Sequence, residues 1–218
     1  GGRLVTRVSE YVPRKHGKSL RTAMRAHFVM TCEGEPGPLG FIGAATRDQA
    51  GKVFEPMKKL AKACPAFAER FGISSTLEEI RYACNGGVVS KLASVAEKQD
   101  GHNPHLVVME ELHAQNRELY NVMQSALGAR SNPLLISIST AGRVAAGMGF
   151  ENWRWIQRSL EGKVAADTVN HVFGLIYTID EDDEARLWDE EVIRKANPGL
   201  GVAPRAEAVR EEMANASL

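Results

Sequence analysis

Short apolar runs and helix-patterned stretches take turns along almost the whole of this 218-residue chain, and that alternation restricts its fold more than any other feature. Leu39–Thr46 (LGFIGAAT), His105–Glu111 (HLVVMEE) and Asn132–Gly142 (NPLLISISTAG) are short and mostly apolar, so they read as buried strands. Arg3–Val12 and His171–Asp180 are read as strands too, the first from β-branched residues in rough alternation. Helix patterns lie between them: Ser19–Met30, Arg47–Phe71 with breaks or kinks at Pro56 and Pro65, Leu112–Leu127, Met148–Gly162, and Asp182–Ala196, which Asn197-Pro198-Gly199 stops. The tail from Pro204 reads as a charged helix. Glu78–Cys84 and Gly87–Ser94 meet at Asn85-Gly86-Gly87, a hairpin signal. The alternation predicts an α/β fold, a mostly parallel sheet flanked by helices. Ligands of such sheets bind beyond the carboxyl ends of the strands, so the residues just after each strand are the ones that matter for chemistry.

Composition excludes some functions. The 27 basic and 27 acidic residues cancel, so the surface as a whole is not a nucleic-acid magnet, though local patches can still bind phosphate. No apolar run reaches membrane-spanning length and no signal peptide opens the chain, so no membrane partner is expected. Cys32, Cys64 and Cys84 share no metal or redox spacing and are expected to be reduced, mostly buried thiols of an intracellular protein.

The segment after the first strand is VPRKHGKS, Val12 to Ser19. It ends as the phosphate-binding Walker A loop does, yet Val12 stands where G-x-x-x-x-G-K-[ST] has its first glycine. The loop lies between a strand and a helix, where free backbone N–H groups can bind an anion. Pro13, Arg14, Lys15, His16 and Gly17 are the candidate cradle. Lys18 supplies the cation for the phosphates, and Ser19 a hydroxyl for Mg²⁺. Pro13 can fix the turn that the missing glycine would otherwise serve.

Nucleotide hydrolysis also needs an acid on the metal side and often a second one to orient water. Leu106–Glu111 (LVVMEE) ends a buried strand in two acids, as a Walker B segment does: Glu110 is the metal-side candidate and Glu111 the candidate base. A strand running into the acidic first turn of a helix is the plainer alternative. Glu110 stands where Asp is usual, and its extra methylene pushes the carboxylate out by on the order of 1.5 Å.

With both motifs in hand, the chain resembles the ATPase domain of tailed-phage terminase large subunits, the motors that package DNA. The loop is similar to that family's variant, which has a basic residue, here Arg14, before x-x-G-K-[ST]. TRDQA, HLVVMEELHAQ, LLISISTAG and KANPGLG resemble further family segments in the family's order. The resemblance implies a P-loop NTPase of the additional-strand, catalytic-glutamate type with a small C-terminal subdomain. Residues 1–148 would form the core, and 149–218 its end plus a lid or linker, with the family's nuclease domain outside this chain. It implies ATP as substrate and Mg²⁺ as cofactor. The implied partners are double-stranded DNA, the portal protein, the small terminase subunit and further copies of the chain in a ring. The implied place is the host cytoplasm.

Site roles follow from the same resemblance. Arg14 either touches the γ-phosphate from within the same subunit, which its family position favours, or only faces solvent. Ser139, Thr140, Ala141 and Gly142 correspond to the segment that couples hydrolysis to motion, or form an ordinary strand-to-turn exit, and Arg130 and Arg143 are either exposed candidates for an arginine finger reaching a neighbouring subunit or solvated surface arginines. His113 and Gln115 either sense the γ-phosphate or cap a helix. Trp153 and Trp155 cannot both face one core. The acidic run Asp180–Glu184 reads as a solvated cap and not as a metal site. Two other readings remain: a nucleotide-binding or assembly module whose hydrolysis is impaired by Glu110, or another P-loop motor such as a helicase-like domain.

Overall fold

The computed structural model describes residues 2–92, 103–115, 117–140 and 146–216. Eight strands form one sheet: β1 Arg7–Tyr11, β2 Leu39–Gly43, β3 Ile73–Ser75, β4 Glu79–Tyr82, β5 Gly87–Leu92, β6 Leu106–Glu110, β7 Leu134–Ser139 and β8 Val172–Ile176. Their order is β3-β4-β5-β2-β6-β7-β1-β8. The six from β5 to β8 in that order run parallel, and the hairpin at Asn85-Gly86-Gly87 adds β4, then β3, antiparallel at one edge. The main helices are α1 Lys18–Cys32, α2 Arg47–Ala63, α3 Pro65–Phe71, α4 Arg117–Ala126, α5 Gly147–Leu160, α6 Ala166–Val169, α7 Glu190–Ala196 and α8 Ala206–Ala216.

All five residues of β6 and all six of β7 are buried, because helices cover both sheet faces. On one face Ala23, Met30, Val53, Phe54 and Met57 of α1 and α2 pack on Ile42, Leu106, Val108 and Ile136. On the other, Leu119, Tyr120 and Met123 of α4 pack with Tyr11, Phe41, Val107, Met109 and Leu135. The strand period of two sends neighbouring residues to opposite faces. Glu110 therefore follows Leu106 and Val108 toward α1, and that places it under the phosphate loop.

Several expectations about local structure change. Leu112–Leu127 is not one helix: a 3-10 turn, Leu112–Ala114, precedes α4. Asp182–Ala196 also divides, into a 3-10 turn Glu181–Arg186 and α7. Pro56 lies inside α2 without ending it, since the buried Val53, Phe54 and Met57 around it anchor both sides. Pro65 does mark a break, at the first position of α3. No sequence signal announces the edge strand β3. The three cysteines are exposed free thiols and not buried ones, because each lies at the end of an element and not on its inward face. No helix among the described residues is long and apolar enough to cross a membrane.

Candidate active site

The loop after β1 reaches α1 through two left-handed residues, Lys15 at φ 66° and Gly17 at φ 70°. An added Cβ at Gly17 would meet nothing within 4 Å, so glycine is favoured there by backbone conformation and not by space. Val12 is 2% exposed and its N–H donates to the Ser139 carbonyl at 3.1 Å. The residue at the missing-glycine position thus belongs to the core and fastens the loop to the end of β7. Arg14 is exposed, and its charge is felt at Lys18. His16 Nδ1 contacts the Arg14 carbonyl at 2.8 Å, while its ring lies against Gly199 in the turn before α8. Lys15 pairs with Glu212 of α8 at 3.1 Å.

Lys18 and Ser19 open α1 and point toward the end of β6. The Ser19 hydroxyl donates to Glu110 Oε1 at 2.8 Å. Glu110 is fully buried and its Oε2 has no hydrogen-bond partner. An orphaned carboxylate oxygen beside a loop hydroxyl fits a hard divalent cation with oxygen ligands, so the residues present suit Mg²⁺. Burial lifts the Glu110 carboxyl to about 7, against the bond from Ser19 and the charges of Lys52 and Lys18. The sign follows. A folded-state value above the ordinary 4.5 stabilises the apoprotein below pH 4.5, and that contribution is lost as pH rises through about 7. Glu110→Gln should therefore gain stability relative to the unsubstituted chain between pH 5 and 8, by on the order of 3 kcal/mol. Urea unfolding at the two pH values checks this, and an identical difference at both would refute it.

Glu111 is the residue where the chain turns. It holds a left-handed backbone at φ 50°, a strained conformation for a non-glycine residue. One carboxylate oxygen lies 3.8 Å from Lys18 Nζ and 3.6 Å from Lys52 Nζ. The other is 3.5 Å from the Thr140 hydroxyl and 3.4 Å from His113 Nδ1. Lys18 is itself buried. Burial lowers its pKa, and Glu111 and Glu110 oppose that shift.

The remaining residues singled out in the sequence divide. Ser139 and Thr140 end β7 beside the acids, and Ser139 Oγ contacts His113 Nδ1 at 2.8 Å. Ala141, Gly142 and Arg143 lie outside the described residues. Gln115 Nε2 donates to the carbonyls of Glu110 at 2.6 Å and Gly43 at 3.2 Å, tying together the ends of β6 and β2. Arg130, one of the two arginine-finger candidates, is partly buried and not exposed. It is paired with Glu35 and bonded to the Asn103 and Gly37 carbonyls, near the amino ends of β6 and β2, opposite the phosphate loop. In the run Asp180–Glu184, Asp180 and Asp183 form a capping box and both pair with Lys195, so the run acts as a helix cap. Trp153 packs against the core beside Phe150, and Trp155 is half-buried.

Two contributors were not legible in the sequence. Lys52 comes from the second turn of α2, whose N-terminus Thr46 caps at the carboxyl end of β2. Gly149 of α5 presses on the acid segment: an added Cβ would sit 2.5 Å from the Cα of His113. Its carbonyl accepts from Tyr11 Oη at 2.8 Å. Gly149→Ala must push α5 away from the 3-10 turn after Glu111. We expect the phosphate release tested under the proposed function to fall by about tenfold or more, because the acid-bearing segment is displaced. Destabilisation should stay within about 1–3 kcal/mol, as for other overpacked sites. Phosphate release and thermal melting separate the two effects, and unchanged turnover would show that the contact is passive.

A sequence-family model described as the terminase large subunit, ATPase domain, matches residues 1–158. The chain belongs to this family. Protein YmfN of Escherichia coli (strain K12) is 40% identical to it over 106 residues, 48% of this chain and 22% of YmfN. The large terminase of bacteriophage HK97 superposes with a TM-score of 0.80 at 22% identity, over 98% of this chain and 43% of that one. The large terminase ATPase domain of Thermus phage P74-26 gives 0.54 at 18% identity, over 90% and 88%. A large terminase from a thermophilic bacteriophage, solved in complex with ATP-γ-S, gives 0.54 at 12% identity, over 90% and 47%. At these identities the likenesses establish the fold, an α/β P-loop NTPase-like sheet flanked by helices. This terminase ATPase domain covers 43% of the HK97 protein, and its 106 matched residues cover about a fifth of YmfN.

Proposed function

We propose that this terminase domain hydrolyses ATP and that hydrolysis drives double-stranded DNA into a procapsid. One observation carries the reading: the 2.8 Å bond from Ser19 to Glu110, which joins the phosphate loop to the acid-bearing strand, with Lys18 and Glu111 beside it. The backbone N–H groups of Arg14–Ser19 that are not consumed by α1, and the Lys18 ammonium, would bind the β- and γ-phosphates. Ser19 and Glu110 would hold Mg²⁺, which when bound supplies positive charge against the phosphate oxygens. Glu111 would accept the proton of the attacking water. Arg14, at the mouth of the loop, would add charge at the γ-phosphate.

The same reading assigns residues 1–148 to the ATPase core and 149–218 to the end of that core and a small lid. Lys15–Glu212 and the approach of Gly199 to His16 join the lid to the loop, a route by which loss of the γ-phosphate would move it. Portal protein, small terminase subunit and further copies of the chain would be its partners in the host cytoplasm. Nuclease chemistry is assigned no residues in this chain.

Phosphate release with ATP, measured with Mg²⁺ and with EDTA, tests the proposal. We expect slow turnover that requires the metal. Nucleotide binding without phosphate release would make the chain a silent binder and overturn hydrolysis.

A further inference from the structure

We propose that Lys52 is the positioning residue for Glu111, holding the carboxylate where it can meet water once a triphosphate has occupied the loop. The inference rests on the hydrolytic reading above and names a residue which that reading does not use.

Glu111 Oε1 lies between two ammonium groups, Lys18 at 3.8 Å and Lys52 at 3.6 Å. Their futures differ. Lys18 is buried at the base of the phosphate loop, and phosphate oxygens entering the loop compete directly for its ammonium. Lys52 stands on a different element, α2, with half its side chain in solvent. It can stay with the carboxylate when Lys18 turns away. Without it Glu111 keeps, among the described residues, the long contacts to Thr140 at 3.5 Å and His113 at 3.4 Å.

The neighbouring acid makes that loss costly. Glu110 and Glu111 are adjacent, Glu110 is fully buried and Glu111 is 13% exposed, so their mutual repulsion is poorly screened. Lys52 faces both: its charge acts on Glu110 as well as pairing with Glu111. A cation that spans the acids keeps the second from swinging away from the first. At 3.6 Å the contact is electrostatic and lacks a fixed hydrogen bond, which suits a group that must guide the base without locking it. The backbone strain at Glu111 points the same way, since a left-handed residue persists only where its surroundings hold it.

The test uses Lys52→Gln and Lys52→Arg in the whole chain. Phosphate release gives kcat and KM, and a fluorescent ATP analogue in EDTA gives affinity without turnover. We expect Lys52→Gln to lower kcat by about 10- to 100-fold, the cost of a misplaced reacting group. KM and analogue affinity should stay within about twofold, and Lys52→Arg should recover most of the rate. An unchanged kcat overturns the proposal. So does a loss of affinity that accounts for the fall in kcat/KM, which would make Lys52 a phosphate ligand, and so does an Arg variant as slow as the Gln variant. Absence of phosphate release by the unsubstituted chain overturns the hydrolytic reading itself, and is seen before any variant is made.

Discussion

Lys18→Ala should abolish ATP hydrolysis, by at least about 100-fold, while leaving the fold intact. The magnitude is that of removing one preorganised donor from developing transition-state charge. The fold should survive because Lys18 is a buried cation whose partners are the candidate catalytic acids, not core side chains. Its removal takes away a desolvated charge and leaves Glu111 paired with Lys52. Ala is also a strong helix former at the start of α1. Circular dichroism and phosphate release together check both halves. Unchanged turnover in a folded variant would sink the phosphate-loop assignment.

Glu111→Gln should stop hydrolysis and spare nucleotide binding. The amide can hydrogen-bond water but cannot take its proton, and general-base catalysis contributes roughly 10²–10⁴ in rate. The contrast with Glu110 makes the prediction sharp. Glu110→Gln removes the charge of the carboxylate whose own Oε2 is orphaned, so it should weaken Mg²⁺-dependent binding more than Glu111→Gln does. Glu110→Asp shortens the acid by on the order of 1.5 Å and breaks the direct contact with Ser19. The gap left between them is where an oxygen-bound cation can sit, so activity should hold or rise. A fluorescent ATP analogue measures binding and phosphate release measures turnover. Equal, mild effects from all three variants would make the acids structural.

The parts of this protein that its sequence determined are those encoded by neighbours in the chain. Two-sided burial of LVVME and LLISIS is written in their mostly apolar character, and the hairpin at Asn85-Gly86-Gly87 in its turn residues. The strand–loop–helix setting of Val12–Ser19 and the paired acids at the end of β6 were legible for the same reason: each lies within a few residues of the strand that carries it. Where local signals ran out, so did the sequence. The break of Leu112–Leu127 comes at Gln115, whose backbone is extended and whose side chain is held by the carbonyls of Glu110 and Gly43, contacts that no periodicity announces. Exposure of the cysteines depends on which ends of α1, α2 and the hairpin face water. Only the tertiary structure decided the strand order, which sets β1 between β7 and β8 although well over a hundred residues separate β1 from either in the chain. That order brings the tip of α2 and the start of α5 to the acids, and with them Lys52 and Gly149. It also carries Arg130 to the opposite end of the sheet, into the hands of Glu35. Charge and steric contact act through space, so residues brought to the site by packing leave no mark at their own positions in the chain.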